Sequence, residues 1–267
     1  FDDHICLGKN ITSRCRNIST SGPVFIVTGT NPNTSIGFNK TLMVNSTGKD
    51  IPKNVEEEHV VLIPDSDGIG KNIAYGKEVL TQNGAIVEDA LRIKFGKVDW
   101  LFVMAGGGGG TGSSVVALQP VFERYLQSVQ ASGKVVYIVS WPTAQENLNP
   151  TIARNALSLL NDVTPYPHIV VDNERSTRLL RGRIGMLGMY PVANTQFSKI
   201  FAQILKLSTE DSPIQSFDSK DLETCFGKDG RAFIGSTMIK DPNTGKLGTT
   251  IMHNCMNRSA CPPPKGK

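Results

Sequence analysis

The sequence lacks the features that mark several classes of protein. Net charge is only +4 at pH 7 over 267 residues, too small and too dispersed to indicate a nucleic-acid-binding surface. No stretch approaches the roughly 18 consecutive apolar residues of a membrane-spanning helix, so we expect no membrane insertion. The five cysteines form an odd, scattered set, which disfavours a disulfide framework and favours a reducing, cytoplasmic compartment.

Support for a metal or glycan site is also weak. His253, Cys255 and Cys261 do not have the number or spacing of a zinc motif, so no protein metal site is predicted. Tripeptides typical of N-glycosylation occur without a signal peptide, and we expect them to be unused; they begin at Asn10, Asn17, Asn39, Asn45 and Asn257. Because the chain opens on Phe1 rather than Met, we expect further residues before it.

What is present is an alternation of short apolar runs with amphipathic stretches. The apolar runs predict strands over Val24–Thr28, Val60–Ile63, Trp100–Met104, Val135–Ser140 and His168–Val171. The amphipathic stretches predict helices over Ile73–Phe95, Val115–Val129 and Asn147–Leu160. This order indicates an α/β, Rossmann-like fold with a mostly parallel sheet and helices on both faces. Ligands of such sheets bind beyond the carboxyl ends of the strands.

The pattern changes after the last of these strands. A long helix is predicted over Val192–Leu207, followed by a short helix near Asp218–Phe226. Two further strands, Arg231–Ile239 and Leu247–His253, would form a hairpin through a turn at Asp241–Gly245. We therefore predict a nucleotide-binding domain over 1–190, a long central connecting helix over 191–210, and a small β-containing C-terminal domain over 211–267.

A glycine-rich run, Ala-Gly-Gly-Gly-Gly-Gly-Thr-Gly-Ser-Ser, occupies residues 105–114. Such composition is typical of a flexible linker. This run, however, follows a buried-type strand and precedes a helix, where glycines let backbone N–H groups approach phosphate oxygens. The run is not a P-loop, because no lysine follows it, and its Gly-x-Gly-x-x-Gly spacing is expected by chance in any run so rich in glycine. Phosphate binding is the favoured interpretation.

Residues 108–114 resemble the signature loop of the tubulin/FtsZ superfamily, with Ser114 in place of its last glycine. The segment from Gly68 to Gly76 is similar to the γ-phosphate loop of FtsZ, with the spacing Gly-x-Gly-x-Asn-x-x-x-Gly. The resemblance covers roughly residues 5–240 and is nearest to the plasmid and phage TubZ-like branch. Pro150 stands where FtsZ has a phosphate-contacting arginine.

The resemblance implies roles for individual residues. It implies nucleotide contacts by Gly8, Asn10, Gly68, Gly70, Lys71, Asn72, Gly106, Gly107, Gly108, Gly109, Gly110, Thr111, Gly112, Ser113, Pro142, Glu146, Asn173, Tyr190 and Asn194. It implies a catalytic role for Asp218 and Asp221 at the nucleotide of the next subunit. Ordinary alternatives exist: Asn194 and Asp218 are good helix caps, and Glu146 is a favourable first-turn acid.

The function that the resemblance implies is that of a GTPase that assembles head-to-tail into filaments. Its cofactors would be GTP or GDP with Mg²⁺, its main partner a second copy of itself, and its place the cytoplasm of a bacterial host. A plasmid or phage DNA-adaptor protein is a further expected partner. Two alternatives stay open: a nucleotide-binding filament or scaffold protein without useful turnover, and a dinucleotide-dependent oxidoreductase. The second is disfavoured because the first β-α turn lacks Gly-x-Gly-x-x-Gly.

Overall fold

The computed structural model describes residues 24–29, 41–51, 57–64, 66, 68–180, 192, 197, 200–201, 219–237, 239 and 245–263. Within them the predicted α/β fold is confirmed, and seven strands form one sheet in the order β3-β2-β1-β4-β5-β6-β7. The strands are β1 Val24–Gly29, β2 Thr41–Asn45, β3 Val60–Leu62, β4 Trp100–Gly106, β5 Val135–Trp141, β6 Pro167–Asp172 and β7 Gly230–Ala232. In these same ranges no helix is both long and apolar enough to cross a membrane.

Helices connect and follow the strands. The α-helices are α1 Ile73–Gln82, α2 Gly84–Phe95, α3 Gly110–Ser113, α4 Gln119–Ser128, α5 Pro150–Val163, α6 Asn173–Leu180, α7 Ser219–Phe226 and α8 Leu247–Arg258. Short 3₁₀ turns cover Gly48–Asp50, Glu57–His59, Val115–Leu118 and Glu146–Leu148. Of the predicted helix Val192–Leu207, the residues within the described part are helical, and the others lie outside it.

The sheet is mostly parallel, as predicted, with one exception at its centre. The pairs β2–β3, β4–β5, β5–β6 and β6–β7 are parallel, whereas β1 runs antiparallel to both β2 and β4. Val24, the first residue of β1, pairs with Val44 near the carboxyl end of β2. β1 therefore begins at the edge of the sheet where the parallel strands end.

Alternation along β4 shows how the core is divided between the two faces of the sheet. Leu101 and Val103 belong to one apolar cluster, which includes residues of α1, α2, α4 and α5. Phe102 and Met104 belong to the other, which includes Phe201 and residues of α7. Since successive side chains of a strand point to opposite faces, a strand that is apolar throughout requires cover on both sides.

Two helix predictions need correction. The segment Ile73–Phe95 is two helices that meet at Asn83, where the backbone leaves the helical region (φ −98°, ψ 13°) and the side-chain Nδ2 joins the backbone N–H in donating to Val79 O, at 2.9 Å. Asparagine competes with helix backbone in this way. The second correction is that α4 begins only at Gln119, after a 3₁₀ turn, with Pro120 in its first turn where a missing N–H costs nothing.

The predicted C-terminal hairpin is wrong. Among the described residues of this segment, Gly230–Ala232 alone forms a strand, and it pairs in parallel with β6 in the main sheet. Leu247–Arg258, predicted to contain the second strand, is the helix α8. Its β-branched residues Thr249–Ile251 suggested a strand, but intrinsic β-propensity is weak without a neighbouring strand to pair with. After α8, Cys261 bridges back to Ile234. The division into domains stays a prediction.

Candidate functional site

Two glycine loops meet at the carboxyl edge of the sheet and enclose a cavity of about 170 Å³. One loop follows β4 at Gly106, and the helix α3 begins within the glycine run itself. The other is the loop 68–72, which leads into α1. The cavity is lined by Asn45, Ser46, Thr47, Gly68, Ile69, Gly70, Lys71, Gly109, Gly110 and Thr111. The structure thus brings together two loops that the sequence placed about 40 residues apart.

Close contacts explain why glycine occupies key positions in these loops. A Cβ atom on Gly110 would lie 2.5 Å from Ile69 Cγ2 and 3.0 Å from the backbone nitrogen of Lys71. One on Gly112 would lie 2.5 Å from the carbonyl oxygen of Gly106. Side chains at either position would force the backbone segments apart. The glycine run is therefore a packed loop and not a flexible linker.

The polar groups at the cavity suit an anion. Ser46 Oγ and Thr111 Oγ1 are hydrogen-bonded to each other at 2.9 Å, and both residues are buried. Ser113, in the same glycine run, does not line the cavity; its Oγ is fully buried and has no hydrogen-bond partner among the described residues. Lys71 supplies a positive charge at the rim, where its side chain is exposed. Hydroxyls, backbone N–H groups and one ammonium are the donors that phosphate binds.

The side-chain oxygens available to a magnesium ion at this cavity are hydroxyls and one amide. They belong to Ser46, Thr47, Thr111 and Asn45, and no carboxylate is found among the described residues that line the cavity. Mg²⁺ is commonly held by one or two protein ligands together with substrate phosphates and water. The residues present fit an ion carried mainly by phosphate.

The loop 68–72 has an unusual backbone. Lys71 has φ +68°, the left-handed region that non-glycine residues rarely occupy, and Gly68 and Gly70 also have positive φ. Asn72 then caps α1 by accepting the N–H of Tyr75 at 3.2 Å. Asn72, the asparagine of the predicted motif, is thus a helix cap. Its position two residues after Gly70 is explained by the start of α1 and does not require a contact with a ligand.

The ends of β5 and β6 lie on the same edge of the sheet as the cavity. Pro142 is buried, and Glu146 Oε2 accepts both the N–H and the hydroxyl of Thr143 at 2.8 Å. Asn173, the first residue of α6, is 3% exposed and donates from Nδ2 to Ser140 Oγ at 2.9 Å. These residues are placed beside the cavity and do not line it, and one carboxylate oxygen of Glu146 is engaged within its own loop.

The remaining predicted residues separate into two groups. Gly8, Asn10, Tyr190, Asn194 and Asp218 lie outside the described residues. Asp221 is exposed in the first turn of α7 and does not line the cavity.

The position of α7 is set by Phe226. This ring packs edge-to-face on Trp100, the first residue of β4, with 6.4 Å between the ring centroids. The cavity follows Gly106 at the other end of β4, about 20 Å away at the usual rise of a strand.

Sequence reasoning missed four residues at this site. Asn45 ends β2, a strand that was not predicted, and Ser46 and Thr47 follow it; their tripeptide suggested only a glycosylation signal. The available signal was a run of one amide and two hydroxyl side chains directly after the apolar residues 42–44. Asn155 on α5 had no such signal, because its role depends on contacts with loops more than 40 residues away in sequence.

A larger cavity, of about 420 Å³, lies at the opposite edge of the sheet, at the amino ends of β5 and β6. Its charged residues are Glu123, Lys134 and Asp229, and Lys134 is paired with Asp229 at 3.2 Å. Two carboxylates and one ammonium leave this cavity with a net negative charge, which repels phosphate. The larger size of the cavity therefore does not make it the nucleotide site.

Comparison with solved structures identifies the fold. The chain matches TubZ of Clostridium botulinum phage c-st with a TM-score of 0.62, 16% identity, and coverage of 84% of this chain and 68% of that one. The chain has the tubulin/FtsZ fold. A GTPγS-form protofilament of Bacillus thuringiensis serovar israelensis TubZ gives 0.64, with 20% identity and 82% and 62% coverage. FtsZ of M. jannaschii gives 0.59, with 20% identity and 80% and 59% coverage.

Within this fold, the chain spans about three fifths to two thirds of the length of those proteins, by the 59%, 62% and 68% coverage above. Comparison of the sequence with protein families and with curated proteins finds no match. The likeness is therefore one of backbone architecture.

Proposed function

We propose that this chain binds guanine nucleotide at the carboxyl edge of its sheet and hydrolyses GTP within head-to-tail filaments. The observation that carries this proposal is the cavity between the two glycine loops, lined by the hydroxyl-bearing residues Ser46 and Thr111 and by Lys71. At about 170 Å³ the cavity is smaller than the roughly 300–1,000 Å³ of a whole ligand pocket. It accommodates the phosphates, and ribose and base lie further along the same edge.

The strand order indicates on which side of the phosphates the ribose and base would lie. Beyond β4, the ends of β5 and β6 carry Glu146 and Asn173, the polar residues expected near ribose and base. Ala144 N–H donates to the carboxylate of Glu174 at 3.1 Å, which joins the loop after β5 to the start of α6. Asn10, Tyr190 and Asn194 complete the proposed base site. Mg²⁺ bound with the phosphates would offset part of their charge.

Hydrolysis is proposed to require a second subunit. No carboxylate lines the cavity within the described residues, so one subunit supplies no evident group there to position the attacking water. Asp218 precedes α7 and Asp221 lies in its first turn; α7 packs on one face of the sheet, over the amino-terminal half of β4. In a head-to-tail contact the amino-terminal end of the sheet of one subunit meets the nucleotide edge of the next, and a contact that does not close makes a filament.

The biological role proposed is that of a cytoskeletal filament in the cytoplasm of a bacterial host. Positioning of plasmid or phage DNA through an adaptor protein is the finer proposal, because a phage TubZ is among the similar structures. An alternative is a nucleotide-binding scaffold with little or no hydrolysis. Pro150, where FtsZ has an arginine that contacts phosphate, favours this alternative, since proline offers no charge to the transition state.

Competition binding tests the proposal. We expect GTP to bind at least about tenfold more tightly than ATP, a difference of about 1.4 kcal/mol, and GTP to raise light scattering as filaments form. Phosphate release without a rise in scattering would contradict assembly, and scattering without phosphate release would favour the scaffold. Equal affinity for ATP and GTP would overturn the base-site assignment.

A further inference from the structure

Asn155 lies on α5 behind both glycine loops and connects them. The side chain is buried, with 3% of its surface exposed. Its Nδ2 donates to the carbonyl oxygen of Lys71 at 3.0 Å and lies 3.4 Å from that of Gly108. Because an amide nitrogen carries two hydrogens, one group can hold both carbonyls at once.

The carbonyl that Asn155 holds belongs to a strained residue. Lys71 has the left-handed conformation, at φ +68°, which is unfavourable for a residue with a side chain. Such a conformation persists where the surroundings determine it. On one side Lys71 leads into the cap residue Asn72, and on the other its carbonyl is fixed by Asn155.

The helix that carries Asn155 is capped at its start and packed against the glycine run. The helix α5 begins at an N-cap, Asn149, which accepts the N–H of Thr151 at 3.0 Å. It then packs so closely on the glycine run that a Cβ atom on Gly107 would lie 3.4 Å from the Cα of Ala156. Asn155 thus connects α5 to the loop 68–72 at the rim of the cavity by a hydrogen bond, although it does not line the cavity itself.

We propose that Asn155 is a positioning residue that fixes the loop 68–72 in the shape in which it meets the terminal phosphate. If the chain binds guanine nucleotide as proposed above, its preference for GTP over GDP depends on Asn155. The holding of the loop is independent of any nucleotide. The two parts are therefore tested by separate measurements on the full chain.

The first measurement is hydrogen exchange without nucleotide. Asn155→Leu keeps a similar volume and removes the donor, so the amides of residues 68–72 should exchange about tenfold faster, as expected for one lost buried hydrogen bond and an unpaired carbonyl. Tyr137→Phe is the matched control, because it removes a buried hydrogen bond to Gln119 Oε1 of 2.5 Å in a side chain remote from the loops. Exchange that is unchanged in Asn155→Leu overturns the proposal.

The second measurement is the ratio of GTP to GDP affinity. We expect Asn155→Leu to lower this ratio about tenfold, whereas Tyr137→Phe leaves it unchanged; a purely structural role would lower stability and leave the ratio as it is. If the wild type binds neither nucleotide, the proposed function fails and the exchange result alone decides whether Asn155 holds the loop.

A double-mutant cycle tests the cause. In Lys71→Gly the residue adopts positive φ without strain, so removing the donor of Asn155 should speed exchange less in that background than in the wild type. Equal effects in both backgrounds would overturn the role assigned to Lys71. Asn155→Ser serves if Asn155→Leu does not fold; unfolding of both would show that Asn155 supports the core and would overturn the proposal.

Discussion

Adding one methyl group at Gly110 should separate the two loops of the proposed phosphate site. In Gly110→Ala the new Cβ atom would lie 2.5 Å from Ile69 Cγ2 and 3.0 Å from the nitrogen of Lys71. Gly110 is buried, whereas Gly70 and Lys71 are exposed. The strain is therefore relieved by outward movement of the loop 68–72, which takes donors away from bound phosphate while the core stays intact.

The size of the effect follows from the cost of overpacking. Inserting a methyl group into a packed site costs typically about 1–3 kcal/mol. If displacement of the loop transfers that cost to binding, GTP affinity falls between about fivefold and 150-fold. Equilibrium binding of a fluorescent GTP analogue measures the loss, and thermal unfolding checks that the variant is folded.

Gly245→Ala is the matched control, because nothing lies within 4 Å of a Cβ atom there and its backbone does not need positive φ. It should bind GTP like the wild type. Ile69→Ala removes the nearest clashing atom and should recover part of the affinity of Gly110→Ala. A folded Gly110→Ala chain with wild-type affinity would refute the assignment of these loops to phosphate.

Three further predictions concern packing, catalysis and pH. Gly76→Ala should lower the free energy of unfolding by about 1–3 kcal/mol, because the new Cβ would clash with Ser114 Oγ and would lie 3.0 Å from Ser114 Cβ. Urea unfolding should show a smaller loss when Ser114 is also replaced by glycine. An equal loss in both backgrounds would contradict this contact. Asp218→Ala should bind GTP and assemble but release less phosphate per assembled subunit at matched polymer mass; equal rates would show that Asp218 does not act on the neighbouring nucleotide. Burial lowers the pKa of His168 below its usual 6.5. As the pH falls, the imidazole is therefore protonated in the unfolded chain before it is protonated in the folded chain, and stability is lost below about pH 7. Urea unfolding at pH 7.5 and 5.5 should show that loss, smaller in His168→Gln; an equal loss in His168→Gln would assign it to other groups.

The arrangement of the phosphate loops could be predicted only in part. Both glycine motifs were recognised because strand, glycine loop and helix follow one another in the chain, and that order is local information. The residues after β2 were missed because only Leu42–Val44 of this strand is apolar, and polar residues on both sides keep it from standing out. Ser46 then enters the site through Thr111, a partner 65 positions away in sequence.

The sequence by itself determined the layered fold and the edge of the sheet at which the two glycine loops lie. Continuous apolar strands such as Trp100–Gly106 require cover on both faces, and glycine allows the close approaches at Gly110 and Gly112. These are properties of neighbouring residues, so they are visible along the chain.

Tertiary structure alone decided the direction of β1, the helical state of Leu247–Arg258 and the contact of Asn155 with both loops. A strand has the same apolar pattern in either direction, and its neighbours choose the pairing. Thr249–Ile251 is helical although β-branched, because no strand pairs with it in the described structure. A buried amide has no periodic signature, since what matters is which distant carbonyls the fold brings within hydrogen-bonding distance.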